Sequence, residues 1–190
     1  MGVESDPRAG EVLLALARSA IASSFGAGSP SDDAPWLAEP GAVFVTLTQG
    51  GQLRGCIGSL EAHRSLLDDV THNARAAAFS DPRFPPLEAS DLPRTRIEVS
   101  LLSPPELLPP STEEEVLGLL RPGVDGVILT WHGHRGTFLP QVWEQLPDPG
   151  DFLARLRLKA GLPATFWDAD VRVHRYTVTA WKETTGEGSP

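Results

Sequence analysis

The side chains best suited to chemistry in this chain stand together in Leu53-Arg54-Gly55-Cys56-Ile57-Gly58. A thiolate is both a nucleophile and a metal ligand, and a guanidinium beside it favours its formation. In a strand, Arg54 and Cys56 would share one face with roughly 6–7 Å between their backbones. A lone cysteine in a strand usually packs as a small hydrophobe. The arginine and the flanking Gly55 and Gly58 point instead to a surface where something approaches the backbone closely. Asp81-Pro82-Arg83-Phe84 is the second constellation, a proline-bounded turn able to hold a carboxylate, a guanidinium and a ring in fixed relation. Its bland reading is a turn with a local salt bridge and a phenylalanine plugging the core. Glu98 and Ser100 add polar groups to one face of a later strand. Together these suit a nucleophilic Cys56, with Arg54 stabilising thiolate or substrate anion and Glu98 or Asp81 as acid–base groups. They suit equally a binding surface on which Arg54 and Arg83 pair with a partner's carboxylates.

None of the five histidines, His63, His72, His132, His134 and His174, stands at a spacing that identifies a partner for the thiol. With one cysteine and scattered histidines the chain offers no metal-binding pattern, and neither a Walker nor a dinucleotide-binding loop occurs. No cofactor is expected. Asp68, Asp69 and His72 lie at helical neighbour spacing and read as a solvated face. The formal net charge of -9 and the pI near 5.0 oppose nucleic-acid and anionic-membrane binding, which draw on clustered Lys and Arg. No apolar run approaches the roughly 20 residues needed to span a bilayer, and a single cysteine fits a reducing compartment, so the cytoplasm is expected.

The elements that must position these residues follow from periodicity. Val12, Leu13, Leu16, Ala17, Ala20 and Ile21 recur at helical spacing. Val43–Gln49 has strand composition, and Gly50-Gly51 makes a two-residue hairpin turn that returns the Arg54–Gly58 segment as a second strand. Counting back from that turn pairs Leu47 with Arg54 and Val45 with Cys56. Arg54, Cys56 and Gly58 would then share a face with Val43, Val45 and Leu47, and Leu53 and Ile57 would take the other. Ser65 caps a helix running to Ala78; residues 94–102 alternate as a strand; Ser111 or Thr112 with Glu114 or Glu115 opens a short helix. Strands follow over 127–131 and 136–139, then a short helix after Pro140, a longer one over 151–160, and a last strand over 171–181. Hairpin strands with helices between the pairs favour α+β over an alternating parallel fold, with mainly antiparallel sheets. One domain, 10–182, divisible into two lobes, precedes a polar tail, 183–190, expected to be disordered.

Six blocks in order closely resemble the AMMECR domain family: 44–47 with Leu53–Gly58, Ala77–Leu87, Glu98–Leu102, Gly123–Val127, Gly136–Trp143 and Leu158–Gly161. The resemblance implies two unequal lobes, each with an antiparallel sheet and helices, and an interlobe cleft lined by Arg54, Gly55, Cys56, Ile57 and Gly58. Asp81, Arg83, Phe84, Glu98, Thr137, Gln141 and Lys159 also fall in the family's motifs. The family is known as protein A of the AmmeMemoRadiSam system, which suggests a Memo-like protein and a radical SAM enzyme as partners, but carries no established reaction.

Overall fold

The structure, a computed structural model, describes residues 2–109 and 112–184. In chain order its elements are α1 (Ala9–Ser23), β1 (Pro40–Gly41), β2 (Val43–Gln49), β3 (Gln52–Gly58), β4 (Arg64–Ser65) and α2 (Leu66–Phe79). Then come β5 (Thr95–Leu102), β6 (Glu106–Leu107), α3 (Glu113–Leu119), β7 (Gly126–Trp131), β8 (His134–Phe138), α4 (Pro149–Lys159), β9 (Arg172–Tyr176) and β10 (Val178–Lys182). The chain divides into two compact units, one of Met1–Leu102 with Thr179–Pro190, the other of Ser103–Val178. Both are α+β with antiparallel pairing throughout.

In the first unit the sheet order is β10-β5-β2-β3. Val43, Val45 and Leu47 of β2, with Ile97 and Val99 of β5, turn one face into a core shared with α1 and α2. The expected amphipathic stripe of α1 is buried there, and Ser65 caps α2 through its hydroxyl, which accepts from the Asp68 amide. The Gly50-Gly51 turn forms with positive φ at both residues, 55° and 78°, the conformation that glycine adopts without steric cost.

The register beyond that turn differs from simple counting. Leu47 pairs with Gly55 and Thr48 with Leu53, so Arg54 is the extra residue of a β-bulge. One residue of slip exchanges the faces of a strand. Cys56 therefore lies opposite Thr46, on the face turned away from α1 and α2, and not among Val43 and Val45; Ile57 takes the core side opposite Val45. Leu53, opposite Thr48, is exposed. The packing of α2 accounts for the slip: a Cβ on Gly55 would stand 2.1 Å from the Ala77 carbonyl oxygen, so only glycine can face the helix there.

In the second unit the sheet order is β6-β9-β7-β8, with Val127, Leu129, Phe152, Leu153 and Leu156 in its core. Of the two expected capping boxes, the one between Thr112 and Glu115 opens α3; Ser111 lies outside the described residues. The single expected strand over 171–181 is two strands in two sheets, because β9 pairs with β7 in the second unit whereas β10 belongs to the sheet of the first. The polar tail was expected to begin at Glu183, yet Glu183 accepts two bonds from Arg18 and one from the Ile97 amide. Thr185–Pro190 lie outside the described residues.

Candidate functional site

β3 is an edge strand, and an edge exposes a row of unpaired amides and carbonyls. At Cys56 that edge is capped by side chains. The Cys56 amide donates to Asp81 Oδ2 at 2.9 Å, and Arg83 Nη2 donates to the Cys56 carbonyl at 3.3 Å. Arg83 is itself locked to the Asp81 carboxylate, Nε to Oδ1 at 3.0 Å and Nη2 to Oδ2 at 2.7 Å. The Asp81-Pro82-Arg83-Phe84 turn thus supplies an acceptor and a donor where a fifth strand's backbone would sit. The Arg83 fork, with the amides of Cys56 and Arg83, holds the buried Asp81 carboxyl well below the usual carboxylate range against the opposing cost of burial, and Asp81 raises the Arg83 guanidinium in turn. Of the bland reading of this turn the salt bridge is present, whereas the Phe84 ring is half-buried and not sealed in the core.

The bulge re-aims Arg54, a use of bulges common beside functional sites. Its guanidinium carbon lies 6.0 Å from the Phe84 ring centroid and that of Arg83 lies 5.5 Å from it, so two cations flank one ring. Arg83 spends its charge on Asp81. Arg54 makes one long bond, Nη2 to the Pro86 carbonyl at 3.4 Å, and no ion pair within 4 Å among the described residues, although its charge contributes to lowering the Asp91 carboxyl behind the larger effect of Arg94. With five donors in a planar fork it retains most of its capacity for a carboxylate.

Cys56, half-buried, accepts a hydrogen bond from the Thr46 hydroxyl, Oγ1 to Sγ 3.3 Å. Glu98 pairs with Thr46 across the next strand, two strands from Cys56 and so roughly 10 Å away at the backbone. That exceeds the reach of direct proton transfer, and Glu98 is engaged by Lys182 Nζ at 2.7 Å, which raises the ammonium's pKa. Among the described residues no histidine bonds to the thiol: His63 pairs with Glu61, His132 with Asp170, and His134 Nδ1 meets the Ala160 carbonyl. Gly58 lies under the Phe44 ring, 2.3 Å from where a Cβ would be. The close approaches expected at Gly55 and Gly58 are therefore made by the protein's own helix and ring.

Thr137, Gln141 and Lys159 belong to the second unit. Lys159 Nζ donates to the Thr137 carbonyl at 2.8 Å and lies 5.0 Å from the Phe138 centroid, while the buried Thr137 hydroxyl is 3.4 Å from that of Tyr176. Gln141 is exposed in a 3-10 turn over Pro140–Glu144.

A buried network escaped the sequence pattern. Asp69, expected on a solvated face, is fully buried, accepting from the Val43 amide at 2.8 Å, Ser59 Oγ at 2.6 Å and Asn73 Nδ2 at 3.0 Å. It ties α2 to the start of β2 and the end of β3. The available signal was Asp69 and Asn73 falling on the Leu66, Val70 and Ala77 side of the helix.

The six resembling blocks are matched by a family model: residues 14–181 fit that of AMMECR1. The chain belongs to the AMMECR1 family. Among its relatives, a protein of Methanothermobacter thermautotrophicus is 38% identical over 180 residues, covering 92% of this chain and 94% of that one. Another, from Thermococcus onnurineus, is 40% identical over 187 residues, covering 92% and 90%. The crystal structure of an uncharacterized protein from Pyrococcus horikoshii, 36% identical, is similar with a TM-score of 0.78 over 95% of this chain and 94% of that one. Among the described residues no helix is long and apolar enough to cross a membrane.

Proposed function

We propose that this AMMECR1-family protein is a recognition domain that binds an acidic peptide segment of a partner protein at the Arg54–Cys56–Phe84 surface. One observation carries the reading: Arg54 is lifted out of the ladder by a bulge, set beside a half-buried ring, and left without an ion pair among the described residues. A guanidinium fork over an apolar ring suits a carboxylate followed by an apolar side chain. Strand addition at Cys56 is disfavoured, since Asp81 and Arg83 occupy the edge groups an added strand would use. The partners suggested by the family resemblance, a Memo-like protein and a radical SAM enzyme, are the first to test, in a cytoplasmic setting where the single thiol stays reduced.

Fluorescence anisotropy with labelled acidic peptides tests the proposal. Arg54→Gln is expected to weaken binding about tenfold, the loss typical of one charge-assisted hydrogen bond. Equal affinities of wild type and Arg54→Gln would refute it. A thiol-dependent reaction at Cys56 is the second reading, favoured by the Thr46 hydroxyl on the sulfur. It ranks behind because no base bonds to the thiol among the described residues.

A further inference from the structure

On the helical side of the first unit a groove of about 550 Å³ runs along α2. Its floor is the stripe Asp68, Thr71, His72, Arg75 and Phe79, and it is walled by Arg64 from β4 and Ser24 from the end of α1. In a chain of net charge -9 this wall and floor gather two arginines and a histidine against one carboxylate. Each is partly or wholly uncommitted. The imidazole of His72 is exposed with no partner among the described residues. Arg64 approaches Asp69 with Nε at 3.5 Å, and its terminal nitrogens make no hydrogen bond among the described residues. Arg75 is fixed by Nε to the Ala20 carbonyl at 3.2 Å and Nη2 to Ser23 Oγ at 3.0 Å, leaving Nη1 for a ligand on an arm that is already ordered. Asp68, the opposing charge, is turned to Ser65 Oγ at 2.7 Å. At the far end Phe79, packed edge-on against Phe25 with centroids 5.6 Å apart, makes an apolar wall.

We infer that this groove binds a small soluble phosphate monoester carrying an aromatic group, with the phosphate between Arg64, His72 and Arg75 and the ring against Phe79. A phosphate offers more acceptor oxygens than a carboxylate to donors arriving from three directions, and arginine forks match its geometry. The volume is that of a small-molecule site.

The probe is phenyl phosphate, titrated into the full chain and followed by the ring-proton NMR signals of His72, assigned with His72→Gln, and by calorimetry. Saturable shifts at His72 are expected, with affinity falling about tenfold in Arg64→Gln and severalfold in His72→Gln. His72 has no partner to lose, so that variant separates binding from folding. Inorganic phosphate should bind more weakly than phenyl phosphate and phenol not at all. No saturable shift at His72, unchanged affinity in both variants, or a loss caused by Arg54→Gln instead would overturn the inference. The last result would place the anion at the peptide surface, so the two proposals fail separately.

Discussion

Gly55 is where a single added carbon should do most damage. In Gly55→Ala the new Cβ would meet the Ala77 carbonyl oxygen at 2.1 Å and its carbon at 3.0 Å, both backbone atoms inside α2. A comfortable carbon–oxygen contact is roughly 3.3–3.6 Å, so strand and helix must part by about 1 Å. Neither can yield locally. Val70, Ala74, Ala77 and Ala78 bury that helix face, and β3 is held by β2 on one side and the Asp81–Arg83 cap on the other. A gap of that size forfeits a quarter to a half of each dispersion contact along the interface. The expected loss is about 3 kcal/mol, at the upper end of overpacking, and a melting temperature lower by roughly 6–12 °C for a chain of this length. Gly55→Val should be worse. Ser59→Thr, which keeps the hydroxyl donated to Asp69, should cost less than about 1 kcal/mol. The assay is urea unfolding followed by far-UV circular dichroism, with m-values compared. Equal midpoints for Gly55→Ala and Ser59→Thr at unchanged m would show that the close approach is not a constraint.

Asp69→Ala leaves the Val43 amide, Ser59 and Asn73 without their buried acceptor and should cost about 3 kcal/mol, read by the same unfolding curves. Asp81 has a folded pKa depressed by Arg83, so its contribution is fully present above the unfolded carboxylate value of about 3.9 and is lost as pH falls through the lower folded value. The stability gap between wild type and Asp81→Asn should accordingly be constant at neutral pH and close below about pH 4; a gap independent of pH into strong acid would contradict the pairing. Maleimide labelling of native Cys56 at fixed pH should slow severalfold in Thr46→Val, which removes the donor to sulfur, and more in Arg83→Met than in Arg54→Met. The reverse order would mean that Arg54, not Arg83, governs the thiol's surroundings.

What the sequence made legible was governed by strict local periodicity. The α1 stripe, the Ser65 cap, the Gly50-Gly51 turn and the Thr112–Glu115 box each rest on contacts within a few residues. The face of Cys56 did not, because a bulge is chosen by the fit of Gly55 under α2, a contact between residues 22 apart that no alternation reports. The burial of Asp69 likewise depends on Val43 and Ser59 arriving from other elements to satisfy it. The Asp81–Arg83 salt bridge was anticipated from the turn, whereas its role as a cap on the Cys56 edge required the tertiary placement of β3.

The parting of β9 and β10 into different sheets has a consequence for biosynthesis. The second unit is one uninterrupted stretch, Ser103–Val178, whereas the first needs residues from both sides of it. Every residue of the second unit is therefore synthesised before the strand that finishes the first. Until β10 emerges, β5 lacks a neighbour, Gly10 of α1 lacks the Trp181 ring that lies against it, and Arg18 lacks the Glu183 carboxylate. The usual order, in which what is made first folds first, is inverted. A chain ending at Val178 should carry a protease-resistant 103–178 fragment attached to a cleavable N-terminal half, and the bare β5 edge of that species is the point where a chaperone would be needed.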